Sequence, residues 1–300
     1  MTPDATPRPG SYRLAVGDAV IALECPQDGL ASGLAAWFGR ASADPALPAQ
    51  VTLELVVAAH DDQPRFPRSL LTTKRLLPGG GFDIADGLIT GSFDAATGRG
   101  GLRVKAALLQ GRYTRIFEQA LYQAFVSASR RLERPGFLVH SSAVVVAGQG
   151  FLFVGPSGAG KSTIARLSAG RHVLGDEINL VRPGDGGWEV VGTPFNGLFR
   201  EKRPGRAPLS AVLLLEHGPG HELGDPVPAD AVATLAAEIV PPVGLDEAPG
   251  PATLPAMVDL ARDLAGQTTL KVLSFAPDAG FWRPLAAAFG LPPEPGEPSA

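Results

Sequence analysis

One cysteine, Cys25, in 300 residues excludes an intrachain disulfide and a cysteine-rich metal site, which suits a reducing compartment. An excess of positive charge is also missing. Lys and Arg number 26 against 30 Asp and Glu, a net charge of -4, so no global field favours nucleic acid. Long hydrophobic runs are absent as well; stretches such as Ala211 to Leu215 are far too short to cross a bilayer. The first residues, MTPDATPRPG, lack the basic start and apolar run of a secretory signal. These absences predict a cytoplasmic globular protein with neither a membrane nor a nucleic acid as partner. Glycine and proline, at 37 and 29, are plentiful, but they fall between periodic segments as loop punctuation. With 45% hydrophobic residues the chain can fill one large core or two modest ones.

Hydrophobic period divides the chain. Residues 1–110 read as β-rich after a Pro/Thr/Ala tail, with hairpin signals at Gly17-Asp18 and Asp86-Gly87. A short helix, GLASGLAAWFGR, is inserted, and VTLELVVAA alternates as a strand. Over 111–134 the period becomes helical: Ile116, Phe117, Ala120, Leu121, Ala124, Phe125, Ala128 and Leu132 fall on one stripe, and Pro135-Gly136 stops it. This helix is expected to join the β-rich part to a catalytic domain over 135–290, with its arginines on a solvated face and 291–300 as a tail. In that domain the strands and helices alternate, so the fold class is α/β.

Gly155-Pro156-Ser157-Gly158-Ala159-Gly160-Lys161-Ser162-Thr163 meets the spacing G-x-x-x-x-G-K-[ST] between an apolar strand and a helical pattern. The glycines let backbone N–H groups converge on phosphate oxygens, and the helix start adds partial positive charge. Lys161 would reach the outer phosphates and the Ser162 hydroxyl would bind Mg²⁺. The motif identifies a nucleotide phosphate site and leaves open what is done there.

Asp176-Glu177 ends the first strand after the P-loop helix, so a crossover would return Asp176 beside the phosphates as a Mg²⁺-side carboxylate. An exposed turn after Gly175 is the competing reading. Glu216, after AVLLL, resembles the acid of motor-type ATPases but equally marks a strand meeting solvent. Arg200, Lys202, Arg203 and Arg206 lie in a Pro/Gly loop; Arg200 or Arg203 could neutralise charge during phosphoryl transfer or attract an acidic peptide, or simply be solvated.

The run FLVHSSAVVVAGQGFLFVGPSGAGKSTIARLSAGRHVLGDEINLV resembles the catalytic core of the HPr kinase/phosphorylase group and its kinase relatives, a core shared with ATP-dependent phosphoenolpyruvate carboxykinase. The resemblance covers about residues 137–197, perhaps extending to 216. It implies a P-loop HPr kinase/phosphoenolpyruvate carboxykinase-like core with ATP and Mg²⁺ as cofactors. It puts His140 near the transferred phosphate and gives Gly155 to Thr163 the triphosphate. Asp176 would receive or orient the acceptor hydroxyl and help hold the metal, with Glu177 as a further metal contact.

Thr163 stands where the bifunctional HPr enzymes carry a Glu, an EIRGLGI-type segment is missing, and residues 1–110 do not match that family's regulatory part. The chain is therefore expected to modify another hydroxyl, on a precursor peptide, a protein or a small molecule. The HPr enzymes form hexamers, so a homo-oligomer is open. Two alternatives stay in view: a transporter-type or regulatory ATPase module, for which an LSGGQ-like signature is lacking, and a small-molecule kinase, whose fold normally begins at the P-loop strand.

Overall fold

The structure is a computed structural model that describes residues 10–58, 73–77, 79–85, 87–109, 114–129, 132, 134–195, 197, 199, 201–241 and 253–292. Asp86 of the second expected hairpin, Arg200, and most of both expected tails lie outside these residues. Among the described residues the chain is mixed α/β, with two β-sheets and six α-helices. None of those helices is long and apolar enough to cross a membrane. Two compact units form: one from Met1–Pro135 with Pro241–Leu254, the other from Gly136–Val240 with Pro255–Ala300.

The first unit is built on strands β1 (Ser11–Val16), β2 (Ala19–Glu24), β3 (Val51–Val57), β4 (Thr73–Leu76), β5 (Phe82–Ala85), β6 (Ile89–Asp94) and β7 (Arg99–Val104), in the order β1-β2-β3-β7-β6-β5-β4. Gly17-Asp18 turns β1 antiparallel onto β2, with Val16 opposite Ala19. Helix α1 (Leu30–Phe38) carries the chain from β2 to β3, which pair in parallel. Helix α2 (Thr114–Ala128) buries Phe117, Leu121, Ala124 and Phe125 on one stripe. It ends at Ala128, short of Pro135.

The second unit contains β8 (Phe137–Val146), β9 (Gln149–Val154), α3 (Lys161–Leu167), β10 (His172–Gly175), β11 (Ile178–Gly184), β12 (Gly187–Gly192), β13 (Arg206–His217) and β14 (Glu222–Gly224). Helices α4 (Pro228–Glu238) and α5 (Thr253–Gln267), strand β15 (Thr269–Phe275) and helix α6 (Trp282–Phe289) follow. Alternation along β9 sends Leu152 and Val154 to a core closed by α4 and α5. Phe151 and Phe153 go to a second core, under α3 and α6. Each fully buried side chain of this size contributes about 2–3 kcal/mol of apolar transfer free energy. Such double-sided burial explains why β9 reads as a continuous apolar run. Leu291, expected in the tail, is buried in the second of these cores.

Two long strands serve both arms of the eight-stranded sheet. β8 pairs with β11 through Phe137–His140 and with β9 through Ser141–Val146. β13 likewise pairs with β12 at its start and then with β9 and β15, both in parallel. The sheet thus divides between His140 and Ser141. β10 runs antiparallel to β8 on the edge away from β9, so α3 steps over β8 to deliver the acidic pair.

Candidate functional site

The division of the sheet explains the site. Ser141 is paired with Val154, the residue before Gly155, and His140 is paired with Ile178, the residue after Glu177. Antiparallel register therefore brings the start of the phosphate-loop motif and the end of the acidic turn to one point on β8. The Ser141 N–H donates to the Glu177 carbonyl at 3.0 Å, extending the ladder to that turn. Below it, the buried Asn179 amide donates to the Ser141 carbonyl at 2.8 Å and to its hydroxyl at 3.0 Å.

The loop itself lies at the carboxyl ends of three parallel neighbours, β9, β13 and β15, the edge at which open α/β sheets bind ligands. Gly158 and Gly160 adopt left-handed backbone, with φ of 86° and 102°. The Ala159 N–H donates to the Pro156 carbonyl at 3.0 Å, tightening the turn. Phe275, at the end of β15, packs beneath Gly160, and His217, at the end of β13, stacks on Phe275 and reaches the Gly158 carbonyl at 3.0 Å. Ser162 and Thr163 are half-buried, whereas Pro156, Ser157 and Gly158 are exposed along the rim.

Lys161 is almost wholly buried. Its ammonium donates to the Gly155 carbonyl, to the Pro156 carbonyl at 3.3 Å and to Glu238 Oε2 at 3.4 Å. The same Glu238 oxygen lies 3.0 Å from His140 Nδ1, and His140 Nε2 lies 3.9 Å from Glu177 Oε1. His140, Lys161, Glu177 and Glu238 thus form one linked cluster. Glu238 is brought there by an isolated antiparallel bridge, Val139 to Ile239, backed by the Val240 N–H donating to the Leu138 carbonyl at 2.8 Å. That bridge sets residue 238 opposite residue 140.

Asp176 is buried, 1% exposed, and so it is not a solvated turn residue. Its Oδ2 accepts the Phe199 N–H at 2.9 Å, and its carboxylate lies against the Cα of Gly197. Arg203 is held elsewhere: its guanidinium donates to the Arg171 carbonyl at 2.8 Å, and its N–H to the Val173 carbonyl at 2.9 Å. Arg171 precedes β10 while Asp176 follows it, so about 16 Å of extended chain separates them. Lys202 is likewise engaged, with the Thr193 and Phe195 carbonyls. Arg200 lies outside the described residues. Glu216 is exposed at the end of β13, beside the start of the P-loop.

Glu238, His217, Asn179, Gly197 and the Phe199 N–H take part without having been singled out from sequence. Glu238 alone left a trace: a carboxylate at the last position of a helix opposes the macrodipole, a local mismatch of the kind that marks functional residues. Among the described residues no group of three or more His, Cys, Asp or Glu could hold a metal ion by itself. Comparison of the chain with protein-family models and with curated proteins finds no match.

Proposed function

We propose that the second unit is an ATP-dependent phosphotransferase of HPr kinase/phosphoenolpyruvate carboxykinase-like type, which moves the γ-phosphoryl group to a hydroxyl of a peptide, protein or small molecule. The observation that carries this reading is the meeting, at His140-Ser141 of β8, of the P-loop strand and the Asp176-Glu177 turn. That meeting puts Glu177 in one linked cluster with His140, Glu238 and the P-loop lysine, Lys161.

The residues fit the groups implied. The left-handed glycines at 158 and 160 expose loop backbone, and the first N–H groups of α3 have no partners within the helix. ATP would supply a phosphoryl group whose transfer is limited by charge and alignment. Lys161 would bind the outer phosphates. Ser162 and Asp176 would hold Mg²⁺ together with phosphate oxygens, with Glu177 close by. Asp176, oriented by the Phe199 N–H, would take the proton from the acceptor hydroxyl. His140 would face the transferred group from β8.

An ATPase module without transfer is the other reading, and the Glu216-His217 end of β13 beside the loop is what favours it. Incubation with Mg·ATP labelled on the γ-phosphate, with candidate peptides and small hydroxyl compounds, separates the two. A kinase leaves label on an acceptor and turns over faster in its presence; an ATPase releases all label as inorganic phosphate. Asp176→Asn should retain nucleotide affinity and lose about 10²-fold or more in turnover. Lys161→Ala should lose both. Native turnover by Asp176→Asn would remove Asp176 from the mechanism.

A further inference from the structure

We infer that Glu238 is a built-in competitor for the phosphate site: its carboxylate holds the Lys161 ammonium that a bound phosphate chain must take over. The inference deepens the phosphotransferase reading and rests on it for the identity of the incoming anion.

Three observations carry it. Lys161 Nζ and Glu238 Oε2 are 3.4 Å apart with side chains only 7% and 11% exposed, so solvent screens the pair weakly. The position is fixed, since the Val139–Ile239 bridge and the Val240 to Leu138 hydrogen bond clamp the end of α4 onto β8. Finally, Oε2 has a second partner, His140 Nδ1 at 3.0 Å. When Lys161 turns toward phosphate, the carboxylate keeps His140 Nδ1 as a neighbour but loses its cation, so the exchange is possible at a cost. Glu238 and phosphate thus compete for one cation, and Glu238 also adds a negative charge beside the cradle. Both effects weaken anion binding in the native protein.

The test is calorimetric titration with ADP in the presence of EDTA, which leaves metal ligands out of the measurement. Glu238→Gln removes the charge with little change of shape, and Glu238→Ala removes the side chain. Both should bind ADP about five- to tenfold more tightly than the native chain. Asp230→Asn, exposed on the first turn of the same helix, should stay within about twofold. A residue that merely secured α4 would give weaker or equal binding when altered. Circular dichroism establishes that each variant is folded. Equal or weaker ADP binding by the folded Glu238 variants, beside a native chain that binds, would overturn the inference and leave the phosphate reading standing. ADP binding by neither the native chain nor the folded Glu238 variants would overturn the reading itself.

Discussion

Phe275 stands 2.6 Å from the point that a Cβ on Gly160 would occupy. The ring cannot step aside: it is 2% exposed, edge-on to Phe281 at 6.0 Å and stacked with His217 at 6.1 Å. The end of β15 therefore sets the floor of the phosphate loop, and the loop glycine answers to packing as well as to phosphate.

Gly160→Ala should be costly for two separable reasons. At φ 102° an L side chain is strained, and the new methyl overlaps a buried ring. Together these should cost about 2–5 kcal/mol, seen as a lower urea midpoint at unchanged m. ADP binding should be lost in the folded fraction. Gly170→Ala, at a position where a Cβ meets nothing within 4 Å, should stay within about 0.5 kcal/mol of the native chain.

Asn179→Ala removes the amide that ties β11 to Ser141 at the point where the sheet divides. Two buried hydrogen bonds, at 2.8 and 3.0 Å, are lost, and the Ser141 carbonyl is left without this donor. The expected loss is about 1–3 kcal/mol in chemical denaturation. Nucleotide turnover should fall too, because the same tie sets His140 against the acidic turn. A variant as stable as the native chain would mean that the ladder alone holds this junction.

Much of the second unit was legible because its signals are local. The P-loop spacing, the apolar run of β9 and the break of the β10–β11 strand at Asp176-Glu177 are each written in consecutive residues. Glu238 left only the trace of an acid at a helix end, and its place beside Lys161 was not legible, because that depends on a single bridge, Val139 to Ile239, between segments about a hundred residues apart. Nothing in the periodicity of ADAVATLAAEIV announces that its last turn will meet β8. Arg203 shows the reverse case: a cation in a Pro/Gly loop invites a phosphate role, and in the fold its guanidinium donates to the Arg171 carbonyl, before the start of β10. Phe199 gave no sign that its N–H would hold Asp176, since a backbone donor has no residue signature.

Cys25 should be inert in the folded chain. It is fully buried, its thiol donates to the Leu23 carbonyl at 3.4 Å, and burial pushes the thiol up to about 11. At pH 8 that leaves about a hundredfold less thiolate than an ordinary cysteine has, so labelling by a thiol reagent should be slowed at least that much until the chain unfolds. Because the folded value is the raised one, the thiol contributes its full stability below its ordinary value of 9.0. That contribution fades as pH rises toward about 11. The native chain should lose stability more steeply across this alkaline window than Cys25→Ala. Parallel profiles would mean that the thiolate is tolerated where it stands.

Gly197→Ala probes the acid-base assignment without touching a titratable group. A Cβ there would lie 2.3 Å from Asp176 Oδ1 and 2.5 Å from Oδ2, so the carboxylate must shift and surrender the Phe199 N–H that orients it. The P-loop is left untouched, and ADP affinity should stay within about twofold of native. Turnover should nevertheless fall about 10–100-fold, because a proton acceptor displaced by even an ångström no longer meets its hydroxyl. The measurement is ADP formation from Mg·ATP beside a binding isotherm on the same sample. Native turnover with intact binding would show that the position of Asp176 does not limit the reaction, and the search for the base would move to His140.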